Sequence, residues 1–283
     1  MRGGDWAAAW AVSDAVLRAR GTPDWTRPRH LQAVWDGTPL QGRRVLVRCY
    51  HGLGDTIQFI RLVPQVGAAE VTVWAQPALL PLLSTLPALG RLLPLHNGTP
   101  EIPFDVDVEV MELAHVLRIT PETLPALVPY LHPPRMARHG PGLHVGLVWQ
   151  AGSWDDRRSV PVALLRPLAN IPGVTLHILQ RGAPCPGFGV PAGADNILEV
   201  ARAMTALDLL VSVDSMPAHL AGAVGLPTWT LLAHRADWRW AEGREDTPWY
   251  PTMRLLRQPH PGDWDTVTAR LHDDLRALAA VRG

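Results

Sequence analysis

Two short turns hold the side chains best placed to do chemistry. The apolar run 209–213 ends at Asp214-Ser215 and leads into Met216-Pro217-Ala218-His219, with the proline at the first position of a helix. The N–H groups at a helix start lack partners inside the helix and carry about half a positive charge. Such a turn receives an anion, and a diphosphate fits it. Asp214 and His219 flank it, the histidine as an extra donor or proton source. Far upstream, His51-Gly52-Leu53-Gly54-Asp55-Thr56 repeats the design. Gly52 and Gly54 permit close approach of a ligand, and Asp55 is a carboxylate of the kind that takes a proton from a hydroxyl. Each turn also has a plainer reading. Asp55 suits an N-cap, and residues 214–219 suit a capped core helix with a satisfied histidine. Two such turns, each at the head of its own α/β unit, imply a cleft between two lobes.

Other polar groups are fewer. All 26 basic residues besides His are Arg, so any phosphate must be met by Arg or His. Arg157, Arg158 and Ser159 lie in a polar loop after the apolar run 145–149, with Ser153 as a further hydroxyl. Arg is suited to bidentate phosphate contact, the alternative being a solvated surface loop. Asp105-Val106-Asp107 alternates as an exposed strand edge does and is not read as a metal site. Cys49 and Cys185 are far apart, no His, Cys, Asp or Glu spacing marks a metal, and no metal or cofactor is expected. Trp238, Trp240, Trp249 and Tyr250 are expected in core and lobe-interface packing, with one of them lining a ligand pocket as the alternative.

The elements that would position these groups alternate strand and helix. Strands are expected at 45–49, 71–75 and 107–110, and helices at 5–19, from 55 to about 64, at 77–86 and at 111–117, with a further turn or two at 121–127. The Pro-, Arg- and Gly-rich stretch 133–142 interrupts the rhythm. It resumes with strands at 145–149, 175–180, 209–213 and 228–232 and helices at 161–169, 199–207, 217–224 and 264–280. This predicts an α/β protein of two open parallel sheets. The segments are a lead-in at 1–41, a first lobe at 42–138 and a second at 139–283. Acidic and basic residues balance at 26 each, so nothing electrostatic points to nucleic acid or an anionic membrane. The first twenty residues carry Asp5, Asp14 and Arg18 and do not read as a signal peptide. The apolar stretch 79–95 is broken by Pro81, Pro87, Gly90 and Arg91, so no transmembrane segment is expected. The expected location is cytoplasmic, with peripheral association at the inner membrane left open.

Four blocks, HGLGDTIQFIRLVP, GLVWQAG with RRSVP, SVDSMPAHLAGAVGLPTW and DWRWAEGREDTPWYP, stand in the order found in a known family. Together they resemble glycosyltransferase family 9, the ADP-heptose:lipopolysaccharide heptosyltransferases, and within it the branch often fused to tetratricopeptide repeats. The likeness spans residues 42 to 275. It implies a GT-B architecture, two Rossmann-like lobes with the final helix crossing back to the first. It also implies an inverting, metal-independent transfer from a nucleotide-diphosphate sugar to a glycan, lipid-linked or protein acceptor. By the same resemblance Asp55 is the base, and His51, Gly52 and Gly54 form the acceptor-side loop. Asp214, Ser215, Met216, Pro217, Ala218, His219, Arg158 and Ser159 hold the donor diphosphate, and Gln180 meets the nucleoside. The chain departs from the family in three ways. The repeats are absent save for one helix near the start, His51 stands where the family has Gln, and Arg157 or Arg158 replaces its lysine. Two rival readings remain, a GT-B-type epimerase or phosphorylase and a non-catalytic binding or scaffold module.

Overall fold

The computed structural model describes residues 3–125, 127–152 and 155–282 and contains two parallel sheets. Helix α1 (Trp6–Ala19) opens the chain, capped by Asp5, whose side chain accepts the Ala8 N–H. The first sheet holds β1 (Arg44–Arg48), β2 (Glu70–Ala75), β3 (Arg91–Pro94) and β4 (Val106–Glu109) in the order β3-β2-β1-β4. Helices α2 (Leu53–Phe59), α3 (Leu80–Leu83) and α4 (Leu113–Val116) lie on its connections. Val45, Leu46 and Val47 are all buried, as a strand covered on both faces must be. The edge strand β4 carries the Asp/Val alternation, with Asp107 bonded to Arg48 of β1 (2.8 Å) and Asp105 just before it to Arg44 (2.6 Å).

The second sheet holds β5 (Leu143–Val148), β6 (Val174–Ile178), β7 (Val190–Pro191), β8 (Leu209–Val213), β9 (Thr228–Leu232) and β10 (Met253–Arg257). Their order is β10-β9-β8-β5-β6-β7. Helices α5 (Ile197–Met204), α6 (Met216–Ala223) and α7 (Trp264–Arg282) belong to this half. Strand order reverses between β1 and β4 in one sheet and between β5 and β8 in the other. The crevices outside the carboxyl ends of those strands are where open α/β sheets take ligands. Both marked turns lie there.

Several elements differ from the sequence reading. The weak strands β3, β7 and β10 were not expected. The first two are short and partly or fully exposed, and β10 reads MRLLR, with arginines breaking its apolar run. The expected helix at 161–169 is a 3-10 helix (Val162–Asn170) with Pro167 inside it. Residues 121–124 form only a turn, with Pro125 next in line to withhold an N–H.

The final helix does not cross back to the first lobe. The buried residues of α7, Trp264, Val267, Leu271 and Leu275, share one apolar cluster with Val145, Val211 and Leu231 of the second sheet. Arg282 at its end donates to Asp208 (2.9 Å). One apolar stripe runs the length of α7, and the second sheet's own helical layer covers it. The bridging role falls to α1 instead. Trp6 stands 6.1 Å from Trp238 and 6.3 Å from Trp249 (ring centroids), while Trp10 Nε1 donates to the Ile119 carbonyl (2.9 Å). Among the described residues no helix is long and apolar enough to cross a membrane.

Candidate functional site

The two marked turns meet across the seam between the sheets. Helix α2 of the first lobe lies against α6 of the second, and Gly54 makes that approach possible. A Cβ at Gly54 would stand 2.9 Å from His219 Cδ2 and 3.3 Å from Met216 Cα. Gly54→Ala is therefore expected to destabilise the protein by about 1–3 kcal/mol through overpacking. Helix propensity alone would favour alanine by about 1 kcal/mol, so the sign tests the contact. Urea unfolding that finds the variant as stable as wild type would show that the seam yields.

Asp55 occupies the third position of α2, and Gly52 precedes the helix. One carboxylate oxygen accepts the Gly52 N–H (3.0 Å), so Asp55 is not the N-cap read from sequence but the third helical residue, reaching back to the N-cap Gly52. The other accepts Arg239 Nη1 from the second lobe at 2.7 Å. Asp55 is 22% exposed, so the group faces the cleft rather than the core. Each oxygen retains a further lone pair. Arg239 is the cation that sequence reading missed. It is buried, and its Nε also bonds Asp237 (2.9 Å). Asp214 is buried nearby, and burial raises its carboxyl above the usual range against the pull of Arg239.

Ser215 is the N-cap of α6, but its hydroxyl donates to the Val213 carbonyl (3.1 Å) and accepts no N–H from the helix. Pro217 takes the second helical position, one later than expected, and has no N–H to give. The Ala218 N–H is bonded to the Ser215 carbonyl (3.0 Å), so this residue is not the free donor that was expected. That leaves the Met216 N–H, among the first three helical residues, and the helix dipole to face an anion. Ser215, Met216 and Pro217 are half-buried and open to the cleft. Arg158 stands beside them, its Nη1 donating to the Asp214 carbonyl (2.8 Å). Arg157 is paired instead with Asp155 (2.8 Å). The Ser159 hydroxyl accepts the Ala151 N–H (3.1 Å) and shapes the loop, and Ser153 lies outside the described residues.

His219 takes the plainer of its two readings. It is buried, stacks on Trp240 (ring centroids 5.3 Å apart) and bonds Tyr250 Oη through Nδ1 (3.0 Å). Burial, together with Arg239 and Arg61, pushes its pKa well below the usual histidine value. A neutral imidazole wedged in the seam is a packing group and is not a proton source for a diphosphate. Trp240, Trp249 and Tyr250 are fully buried and, with Trp238 packed against them, join the first-lobe residues Ile57 and Phe59 in one apolar cluster. Arg61 crosses the same seam, donating to the Trp249 carbonyl (2.5 Å) and Tyr130 Oη (2.9 Å).

Gln180 lies two residues beyond β6. Its Oε1 accepts the N–H groups of Trp149 (3.1 Å) and Gln150 (2.9 Å), and its Nε2 donates to the Arg181 carbonyl (2.8 Å). The amide thus brackets the ends of β5 and β6. It borders a cavity of about 370 Å³ together with Arg181, Gly182, Pro184 and Asp195.

His51 sits at the first sheet's switch point with Nδ1 2.9 Å from Glu109 Oε1, at the carboxyl ends of β1 and β4. Glu109 is almost fully buried and also accepts the N–H groups of Tyr50 (3.2 Å) and Met111 (2.7 Å). The carboxylate bond raises the pKa of His51 above its usual 6.5, against the effect of burial. A folded pKa above the unfolded one gives stability that is full below about pH 6.5 and is lost as the pH rises through the folded value. Wild type should therefore lose its stability advantage over His51→Gln as the pH rises from about 6.5 through the raised folded value. Urea titrations at several pH values check this, and an advantage that grows with pH would contradict it.

No protein-family model matches the chain. The chain is similar to protein FlbA of Caulobacter vibrioides, at 28% identity over 87% of this chain and 48% of that protein, so it spans about half the length of that relative. Among solved structures it is similar to a glycosyl transferase family 9 protein from Veillonella parvula, with TM-score 0.56, 13% identity and coverage of 86% of this chain and 97% of that one. It is also similar to E. coli ADP-heptose LPS heptosyltransferase II, with TM-score 0.56, 14% identity and coverage of 84% and 99%. A third likeness is to the E. coli heptosyltransferase WaaC with ADP, with TM-score 0.53, 14% identity and coverage of 82% and 99%. At these identities the likeness is one of fold, and with two parallel α/β sheets meeting at helix-led turns the chain has the GT-B architecture of those glycosyltransferases.

Proposed function

We propose that the chain transfers a sugar from a nucleotide-diphosphate donor to an acceptor hydroxyl, with inversion and without a metal. The observation that carries this reading is the meeting of the start of α2, where Asp55 follows Gly54, with the start of α6 across the seam, through Gly54 and Met216. A base in one lobe then stands beside an anion-receiving helix end in the other. The acceptor oxygen forms its bond to the anomeric carbon as the bond to the diphosphate oxygen breaks. Asp55 takes the acceptor's proton, and the leaving diphosphate takes up the electron pair. The α6 dipole, the Met216 N–H and the Arg158 guanidinium offset its charge. The cavity beside Gln180 lies on the same edge of the second sheet, two strands from β8, and suits the nucleoside. The acceptor is a glycan, a lipid-linked glycan or a protein reached from the His51 side, and the work is done in the cytoplasm.

A thermal-shift panel of ADP-, GDP-, UDP- and dTDP-linked sugars tests the reading. WaaC has been solved with ADP and with ADP-2-deoxy-2-fluoro heptose, so an ADP-linked sugar is expected to give the largest shift here. A ligand at ~100 times its Kd stabilises by ~2.7 kcal/mol, and EDTA should leave the shift unchanged. A panel with no shift, or one that needs Mg²⁺, would sink the proposal.

A further inference from the structure

Away from the cleft, three histidines converge on the stretch that joins the lobes. His144 is the second residue of β5 and His177 the fourth of β6, and the pairing Gly146 with His177 puts both side chains on one face of the sheet. His139 comes from the segment before β5 and lies over both rings, at 4.6 Å from His144 and 4.3 Å from His177 between centroids. One ring nitrogen from each of the three lies within 4.8 Å of the others. No other group of three or more potential ligands is found among the described residues.

The details favour a ligand set over simple stacking. His144 Nε2 lies 3.1 Å from the Gly140 carbonyl, which can only accept, so the proton of His144 belongs on Nε2. That leaves Nδ1 as an acceptor, and His177 Nε2 donates to it from 3.0 Å, a proton that a bound metal would displace. A carbonyl on the far nitrogen is the usual support of a metal-binding imidazole. With metal–nitrogen bonds of ~2.0–2.1 Å, four-coordinate ligand nitrogens stand ~3.3 Å apart, so small side-chain rotations bring the set to bonding distance. Arg138, next to His139, is tied to Asp208 (2.5 Å), and Asp208 also accepts the His144 N–H (3.0 Å), which holds the segment in register.

We propose that His139, His144 and His177 bind one borderline transition-metal ion, such as Zn²⁺, which clamps the inter-lobe segment to the second sheet. An all-imidazole set selects Zn²⁺, Cu²⁺, Ni²⁺ or Co²⁺ over Mg²⁺ or Ca²⁺. Water completes the coordination. The site is separate from the proposed transfer chemistry. It sits at the start of β5, while Arg158 follows that strand's other end.

The test titrates metal-stripped, full-length protein with Zn²⁺ against a chromophoric chelator, and with Co²⁺ followed by visible absorption. Wild type is expected to bind one equivalent at micromolar affinity or tighter, with the spectrum of four-coordinate Co²⁺. His139 is exposed, so His139→Ala folds normally and should lose affinity by about tenfold or more. Zn²⁺ should also slow backbone hydrogen exchange at residues 138–144 in wild type and leave the variant unchanged. Absence of one-equivalent binding in wild type overturns the proposal, as does binding that His139→Ala leaves intact.

Discussion

Asp55→Asn is expected to cut the transfer rate by ~10²–10⁴-fold while the protein stays folded and holds its donor. The geometry makes the experiment clean. Asparagine keeps one carbonyl oxygen to accept the Gly52 N–H that Asp55 now accepts at 3.0 Å, so the start of α2 keeps its cap. What disappears is the site for the acceptor's proton and the charge facing Arg239. Arg239 retains Asp237 at 2.9 Å, so it is not left wholly without a counter-charge. The proposed donor contacts, at Met216 and Arg158 in the second lobe, are untouched. Single-turnover rates, donor Kd by calorimetry and the melting temperature separate the two roles of the aspartate. A wild-type rate with the true acceptor would remove Asp55 as the base. Loss of donor affinity together with a large drop in melting temperature would make it a structural cap and inter-lobe tie.

What sequence shows and what it hides divides here by the range of the interaction. The strand–turn–helix at 209–223 was readable because every signal is local: a run apolar save for Ser212, a Ser at the N-cap and a proline within the first turn. The same holds for β1, the two glycines and Asp55. Arg239 was hidden because its partner is 184 positions away, and because it stands between two tryptophans in a segment that reads as packing. His219 was overvalued for the converse reason. Its helical position faces an anion in isolation, and only the arrival of α2, Trp240 and Tyr250 buries it. The three histidines escaped notice because their spacings of five and thirty-three match no metal motif, and only the parallel pairing of β5 with β6 assembles them. The final helix shows the limit of analogy. Its apolar stripe was visible, but whether the stripe covers the first lobe or the second is decided by tertiary packing, and it covers the second.

Arg239→Met should be the most destabilising single change at the seam, with an expected loss of about 3–5 kcal/mol. The side chain is 9% exposed and binds Asp55 at 2.7 Å and Asp237 at 2.9 Å, close to the buried Asp214. Methionine fills much of the volume but supplies no charge, so carboxylates are left in a poorly solvated seam. Because Asp55 is itself 22% exposed and Asp237 40%, water relieves part of the cost, which favours the lower end of that range. The pH dependence identifies the cause. Burial already raises the Asp214 carboxyl, and removing its neighbouring cation raises it further. A carboxyl with a raised folded pKa gives stability that is present at low pH and is lost as pH rises through that value. The variant's deficit should therefore be largest near neutrality and shrink on acidification. Asp55→Asn introduced into Arg239→Met should cost less than Asp55→Asn alone, because the pair is already broken. Urea unfolding of the four-protein cycle at two pH values measures all of this. A deficit under about 1 kcal/mol, or strictly additive single changes, would mean that the Asp55–Arg239 bridge contributes little to holding the lobes together.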